Sequence, residues 1–101
     1  MPQTTVHVIA TFFAEMGKED DMERALLEMI EPTRREPGCI RYDLVRSLKG
    51  ENYTEFVFIE EWESEAALDA HAKTLHFLGL RGRIKNLMGS LPRVNRYRQV
   101  G

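Results

Sequence analysis

The run from Thr4 to Ala14 is the feature that most restricts how this chain can fold. It is rich in β-branched and aromatic residues and has few breakers, which predicts a β-strand. Successive side chains of a strand point to opposite faces, and here both faces are largely apolar: Val6, Val8, Ala10 and Phe12 on one, His7, Ile9, Thr11 and Phe13 on the other. The strand is therefore expected to be covered on both sides.

An amphipathic helix is predicted after this strand. Apolar residues recur at three- and four-residue intervals from Met22 to Ile30, and acidic residues precede them, where they suit the positive end of the helix dipole. Pro32 is expected to bend the last turn or restart it. Pro37 and Gly38 are expected to end the helical region.

A β-hairpin is predicted next, with strands over Cys39–Ser47 and Tyr53–Trp62 and a turn at residues 49–52. In the first of these strands one face is predicted to carry Ile40, Tyr42 and Leu44.

The last third of the chain predicts a second helical region and a final strand. Ser64 is a suitable helix cap, and a break is expected around Thr74 to His76. Residues 89–92 are expected to end the helical region, and residues 93–100 to form the last strand. The face of the helix that is predicted to be buried holds Ala67, Leu68, His71, Ala72 and Leu75.

The order β-α-β-β-α-β predicts a two-layer α+β sandwich in which helices cover one face of a sheet. A chain of 101 residues suffices for one core, so residues 1–101 are expected to form a single domain. That leaves the second apolar face of the sheet without cover. A symmetric homodimer, with its two sheets packed face to face, would cover it.

Composition excludes several classes of partner. The net charge is −2 with both signs interspersed, which argues against nucleic acid. The longest apolar runs are far shorter than the roughly 20 residues of a spanning helix, and no export signal precedes the first strand, so a cytoplasmic protein that does not enter membranes is expected. The lone Cys39 excludes an internal disulfide and a cysteine-rich zinc site.

Ionisable and polar side chains interrupt the apolar pattern at one place. The predicted third strand ends with Glu60 and Trp62, and the helix after it carries His71 and His76. Burying such groups is costly unless they are hydrogen-bonded, so their position indicates a functional site. The two histidines are five residues apart rather than four, and the sequence suggests no third ligand, so a zinc site is not expected.

Three segments resemble the antibiotic biosynthesis monooxygenase domain: Glu36 to Tyr42, Phe58 to Leu68, and the stretch from His71 to Phe77. The likeness extends over nearly the whole chain. It implies a ferredoxin-like fold that pairs into a dimeric α+β barrel. It also implies oxygenation of a small phenolic or quinol-type aromatic by O2, without metal, flavin or haem, in a cleft between sheet and helices.

One departure narrows the choice among branches of that family. Haem-degrading members use an asparagine in the first strand and a haem-ligating histidine in the later helix. Ala10 and Arg81 stand at those places here. The resemblance therefore favours the quinol-type branch over a role with haem.

Oxygenation without a cofactor requires a base. A phenol reacts slowly with triplet O2, whereas its anion can give up one electron and then recombine to a peroxide. Histidine is the side chain best suited to accept that proton near neutral pH. His71 is the first candidate, because it lies on the apolar side of the predicted helix, and His76 is the second.

Four further side chains are candidates for binding the substrate. Trp62 and Tyr42 have a polar group that can donate to a substrate oxygen. Glu60 shares the strand face of Trp62 and is a candidate for orienting a histidine or accepting a substrate hydroxyl. Arg81 is a candidate for stabilising a phenolate. Each of them also has an ordinary structural explanation, namely core packing or a surface ion pair.

Two alternatives to the oxygenase remain open. One is an isomerase or signal-processing enzyme on the same scaffold, of the autoinducer-2 type, in which a histidine shuttles a proton. The other is a non-catalytic dimeric module that only binds a small molecule.

Overall fold

The computed structural model describes residues 5–49 and 53–101. Its elements, in chain order, are β1 (Val6–Ala14), α1 (Glu19–Leu27), α2 (Ile30–Arg34), β2 (Cys39–Arg46), β3 (Glu55–Trp62), α3 (Glu65–His71), α4 (Leu75–Ile84) and β4 (Met88–Tyr97). The four strands form one antiparallel sheet in the order β2-β3-β1-β4. The predicted α+β ferredoxin-like fold is confirmed. The predicted first residue of β1, Thr4, and residues 50–52 of the predicted turn lie outside the described residues.

The two faces of the sheet differ, as the alternation in β1 predicts. Residues 6, 8, 10, 12 and 14 of β1 are buried, and the intervening ones are only partly buried. In β3, the residues paired with that buried set are buried too, so Val8 lies opposite Glu60 on the helix side and Ile9 opposite Ile59 on the other. The core lies between the sheet and the helices. Its fully buried side chains include Phe56, Phe58, Trp62, Met22, Leu26 and Met29.

The first helical region is divided, as the position of Pro32 predicts. Helix α1 ends at Leu27 and α2 begins at Ile30. Proline has no N–H to donate to the carbonyl of Glu28, so one helical bond is missing where the two helices join.

The second helical region breaks after His71 and restarts at Leu75. The Thr74 hydroxyl caps α4 by accepting from the backbone N–H of Phe77 at 3.3 Å. The restart changes the helical phase. As a result the prediction for Leu75 is wrong: it is 87% exposed rather than on the buried face.

Two further strand predictions are wrong. Ile40 lies at a β-bulge between Cys39 and Arg41 and is 51% exposed, so it does not share the burial of Tyr42. Strand β4 begins at Met88, five residues before the predicted start, with Gly89 and Pro92 inside it. A Cβ on Gly89 would stand 3.0 Å from the carbonyl oxygen of Ala14, which is tighter than most contacts. Strand β4 is an edge strand, where proline is tolerated.

Within the described ranges, no helix combines the length and the apolar composition that crossing a membrane requires.

Candidate functional site

A cavity of about 690 Å³ lies between the helix side of the sheet and helices α3 and α4. This volume is in the range of small-molecule sites, about 300–1,000 Å³. Most of its wall is apolar, from Val8, Ala10, Phe12, Met29, Phe58, Leu68, Phe77, Leu80, Ile84 and Met88 among others. The polar and charged groups on the wall are few: Tyr42, Glu60, His71, Arg81, Lys85 and Arg96.

His71 is the last residue of α3 and is buried on the cavity wall. Its ring is enclosed by aromatic rings, with centroid distances of 4.8 Å to Trp62, 5.1 Å to Phe77 and 5.7 Å to Tyr42. Desolvation lowers the pKa of His71, although Glu36 opposes that shift. The imidazole is therefore held in a position and an environment that favour its neutral form.

Glu36 links the two histidines. Its Oε2 lies 2.7 Å from Nδ1 of His71 and 2.6 Å from Nε2 of His76. With both rings donating to this one oxygen, Nε2 of His71 is the ring nitrogen left for a molecule in the cavity. A carboxylate that accepts from Nδ1 sets the tautomer of the ring in this way and leaves Nε2 able to accept a proton.

Glu60 is a buried carboxyl group on β3, and it accepts a hydrogen bond of 2.8 Å from Nε1 of Trp62. Burial raises the pKa of Glu60 to about 7, and the hydrogen bond from Trp62 only partly offsets this. At neutral pH the group is thus poised between its acid and its base form.

Tyr42 is buried on β2, with its ring stacked on Phe58 at a centroid distance of 4.6 Å. Burial, together with the nearby Glu60, raises the pKa of its hydroxyl. Tyr42 therefore keeps its proton and can donate it in a hydrogen bond.

Four of the six side chains predicted for the site lie on the cavity wall: Tyr42, Glu60, His71 and Arg81. Arg81 is exposed. The other two, Trp62 and His76, are not among its lining residues within the described part of the chain. Trp62 packs beside His71 and donates its N–H to Glu60. His76 is linked to His71 through Glu36.

Glu36 is the residue that sequence reasoning did not assign. It precedes Pro37 and Gly38 in a segment that carries the family likeness. No periodicity in the sequence predicts its contact with a histidine 35 residues further on. Glu36 is also the third possible metal ligand that the sequence did not reveal. Its ligand atom and those of the two histidines lie within 4.8 Å of one another.

Sequence comparison connects the chain to one family. The family profile described as antibiotic biosynthesis monooxygenase matches residues 5–82. A protein of Mycobacterium tuberculosis named "Putative monooxygenase Rv0793" is 37% identical over 83 residues, which cover 82% of this chain and 79% of that protein. "Putative monooxygenase YcnE" of Bacillus subtilis is 32% identical over 73 residues, covering 72% of this chain and 75% of its own.

Solved structures share the fold along almost the whole length. The structure of Rv0793 matches with a TM-score of 0.88 and 32% identity, covering 97% of both chains. PA3566 of Pseudomonas aeruginosa matches with a TM-score of 0.87 and 31% identity, covering 97% of this chain and 96% of that one.

Proposed function

The chain belongs to the antibiotic biosynthesis monooxygenase family, and from this membership we propose that it is a cofactor-independent monooxygenase. Its substrate is a small phenolic or quinol-type aromatic, which it oxidises with O2. The observation that carries the proposal is the contact of 2.7 Å between Glu36 and Nδ1 of His71 on the wall of an apolar cavity.

The first step is removal of a proton from the substrate. Nε2 of His71 takes the hydroxyl proton of a ring bound in the cavity, and Glu36 stabilises the resulting imidazolium through Nδ1–H. The aromatic side chains around His71 exclude water, which strengthens this interaction.

The second step uses the electrons of the substrate alone. The anion transfers one electron to O2, and the two radicals combine to form a C–O bond in a peroxide. Loss of water then leaves one oxygen atom on the ring and releases the other as water. The two hydrogens of that water come from the substrate, so no external reductant is needed.

Two other lining groups support these steps. Glu60, with a pKa near 7, can donate a proton to the departing peroxide oxygen, and the proton that His71 took from the substrate then replaces it. Tyr42 keeps its hydroxyl proton and can donate a hydrogen bond to a substrate oxygen. Arg81 lies on the exposed part of the wall, where its charge favours an anionic substrate.

We also propose that the chain acts as a homodimer. On the sheet face that the helices do not cover, Ile9 lies opposite Ile59 and Thr11 opposite Val57, all partly buried. A second copy packed on this face would remove their remaining apolar surface from water.

An isomerase on the same scaffold is the second candidate. Two proton-transfer groups of different type, His71 and Glu60, line one cavity. Such a pair can move a proton between two carbons of a substrate. In that reaction O2 takes no part.

Oxygen consumption tests the proposal. The protein is incubated with a panel of quinols and polyphenols in buffer treated with a chelator, and O2 uptake is followed beside product formation. We expect one O2 to be consumed per product. The variant His71→Ala should lower kcat by roughly 10²- to 10⁴-fold, the usual contribution of a general base.

The matched control is Lys73→Ala, an exposed position two residues further along the chain, and it should leave kcat unchanged. Conversion of a substrate without O2 uptake would establish the isomerase instead. If the folded protein binds a ligand and releases it unaltered, the chain is a non-catalytic binding module.

A further inference from the structure

Glu36, His71 and His76 form a cluster behind the cavity wall. Of the three, only His71 is among the lining residues in the described ranges. We propose that these three side chains bind a divalent transition-metal cation such as Zn²⁺.

The donor set suits such an ion. Two imidazole nitrogens and one carboxylate oxygen bind Zn²⁺ and other first-row divalent ions, and they leave coordination positions open for water. The three residues come from separate parts of the fold, since Glu36 follows α2, His71 ends α3 and His76 is in the first turn of α4. The Thr74 hydroxyl donates to the carbonyl of His71 at 2.8 Å and caps α4, so the link between the two histidines is itself held in place.

The distances allow an ion to enter after side-chain shifts of about 1 Å. Oε2 of Glu36 lies 2.7 Å and 2.6 Å from the two ring nitrogens. A tetrahedral ion with bonds of about 2.1 Å places its ligand atoms about 3.4 Å apart. The two contacts of Glu36 must therefore lengthen by less than about 1 Å. The ligand atoms of the two histidines, which lie within 4.8 Å of each other, must come closer by up to about 1.4 Å.

The negative charge of Glu36 favours the binding of a cation. Its side chain is only 10% exposed, and its ion-pair partners within the described part of the chain are the two imidazoles, with neither Lys nor Arg beside it. A largely buried carboxylate without a fixed positive partner is costly. A bound dication would compensate that charge.

Binding would change what His71 presents to the cavity. A neutral imidazole that coordinates through Nδ1 carries its proton on Nε2. No proton has to leave the protein, because each ring only moves its own to the other nitrogen. Nε2 then donates a hydrogen bond and can no longer accept a proton, so the metal would inhibit the reaction proposed above. This consequence rests on the proposed function, whereas metal binding itself does not.

Titration calorimetry of the untagged protein, stripped with a chelator and then desalted, tests the site with ZnSO4. We expect one Zn²⁺ per chain. Trp62, the only tryptophan, lies 4.8 Å from the His71 ring, so its fluorescence should change with the same midpoint. Titration with CoCl2 should produce visible absorption bands of a site with nitrogen and oxygen ligands.

Two variants test the ligands. His76→Ala and Glu36→Gln should each weaken Zn²⁺ binding by more than about 100-fold, because losing even an outer partner of a metal costs about 10- to 100-fold. The matched control, His7→Gln, changes the one histidine outside the cluster and should bind as the wild type does.

The folded state of each protein is checked first by circular dichroism. Failure of the folded wild type to bind Zn²⁺ or Co²⁺ at one per chain would overturn the proposal, and so would folded ligand variants that bind as well as the wild type. The Co²⁺ spectrum is read on the wild-type chain, so a variant that fails to fold does not prevent the test.

Discussion

Oε2 of Glu36 lies 2.7 Å from Nδ1 of His71, so one carboxylate sets the tautomer of the histidine on the cavity wall. In the variant Glu36→Gln, the amide can donate to Nδ1 and thereby move the ring proton to Nε2. We expect kcat to fall by about 10²-fold, with KM little changed, since in the proposed reaction Glu36 positions the base. Nitrogen NMR of the imidazole should show the shift of tautomer, which a merely structural defect would not produce. Glu31→Gln, at an exposed position, is the control.

The stability of the protein should depend on pH through Glu60. Its pKa is about 7 in the fold against an ordinary value of 4.5, so between these two pH values the unfolded chain loses a proton that the folded chain keeps. The contribution of Glu60 to the free energy of unfolding is fully present below pH 4.5 and is lost as pH rises towards 7. The side chain of Glu60→Gln cannot ionise. As pH rises through this window, the unfolding free energy of the variant should therefore increase relative to that of the wild type, by up to about 3 kcal/mol.

Urea unfolding at three pH values, one below, one within and one above that window, measures the difference. Glu61→Gln, the next residue of β3 and on the opposite face of the sheet, is the control. A gap between Glu60→Gln and the wild type that does not change with pH would contradict the assignment.

Gly38 is expected to tolerate no side chain. Its φ is +86°, and a Cβ there would stand 2.6 Å from the Cβ of Ala67. Gly38→Ala should cost roughly 2–5 kcal/mol, from the backbone conformation and from overpacking together. Gly17→Ala separates the two causes, because Gly17 has a φ of +91° with nothing within 4 Å, so it should cost only about 1–2 kcal/mol. Adding Ala67→Gly to Gly38→Ala should recover part of the loss, as thermal unfolding will show.

The proposed homodimer depends on the sheet face that carries Ile59. Ile59→Lys would place a charge opposite Ile9 in an apolar contact between two copies, so it should yield monomers. Light scattering coupled to size-exclusion chromatography measures the mass. The conservative variant Ile59→Val should stay dimeric. A wild-type chain that is monomeric at all concentrations tested would refute the proposal.

The fold was predictable because its pattern is local. Alternation in β1 and β3, the three- and four-residue spacing from Met22 to Ile30, and the cap at Ser64 each depend on neighbours in the chain. The prediction was wrong where a contact between residues far apart in the chain determines the local structure. Ile40 lies at a bulge against β3, and the early start of β4 depends on its pairing with Phe13 and Ala14 of β1.

The candidate site was predictable only in part for the same reason. Buried polar residues on apolar faces pointed to Tyr42, Glu60 and His71, because burial follows periodicity. Which groups pair inside the core does not follow from periodicity. The bond of Trp62 to Glu60, and the meeting of both histidines on Glu36, depend on how strands and helices are stacked.

The three residues between α3 and α4 have a consequence for the design of related chains. On an uninterrupted helix, side chains five positions apart diverge by about 140° around the axis, yet both imidazoles here meet one oxygen atom. Inserting or deleting a single residue in this connection would rotate the two histidines out of convergence while leaving each helix intact. The length of the connection thus determines whether the two imidazoles can meet at Glu36.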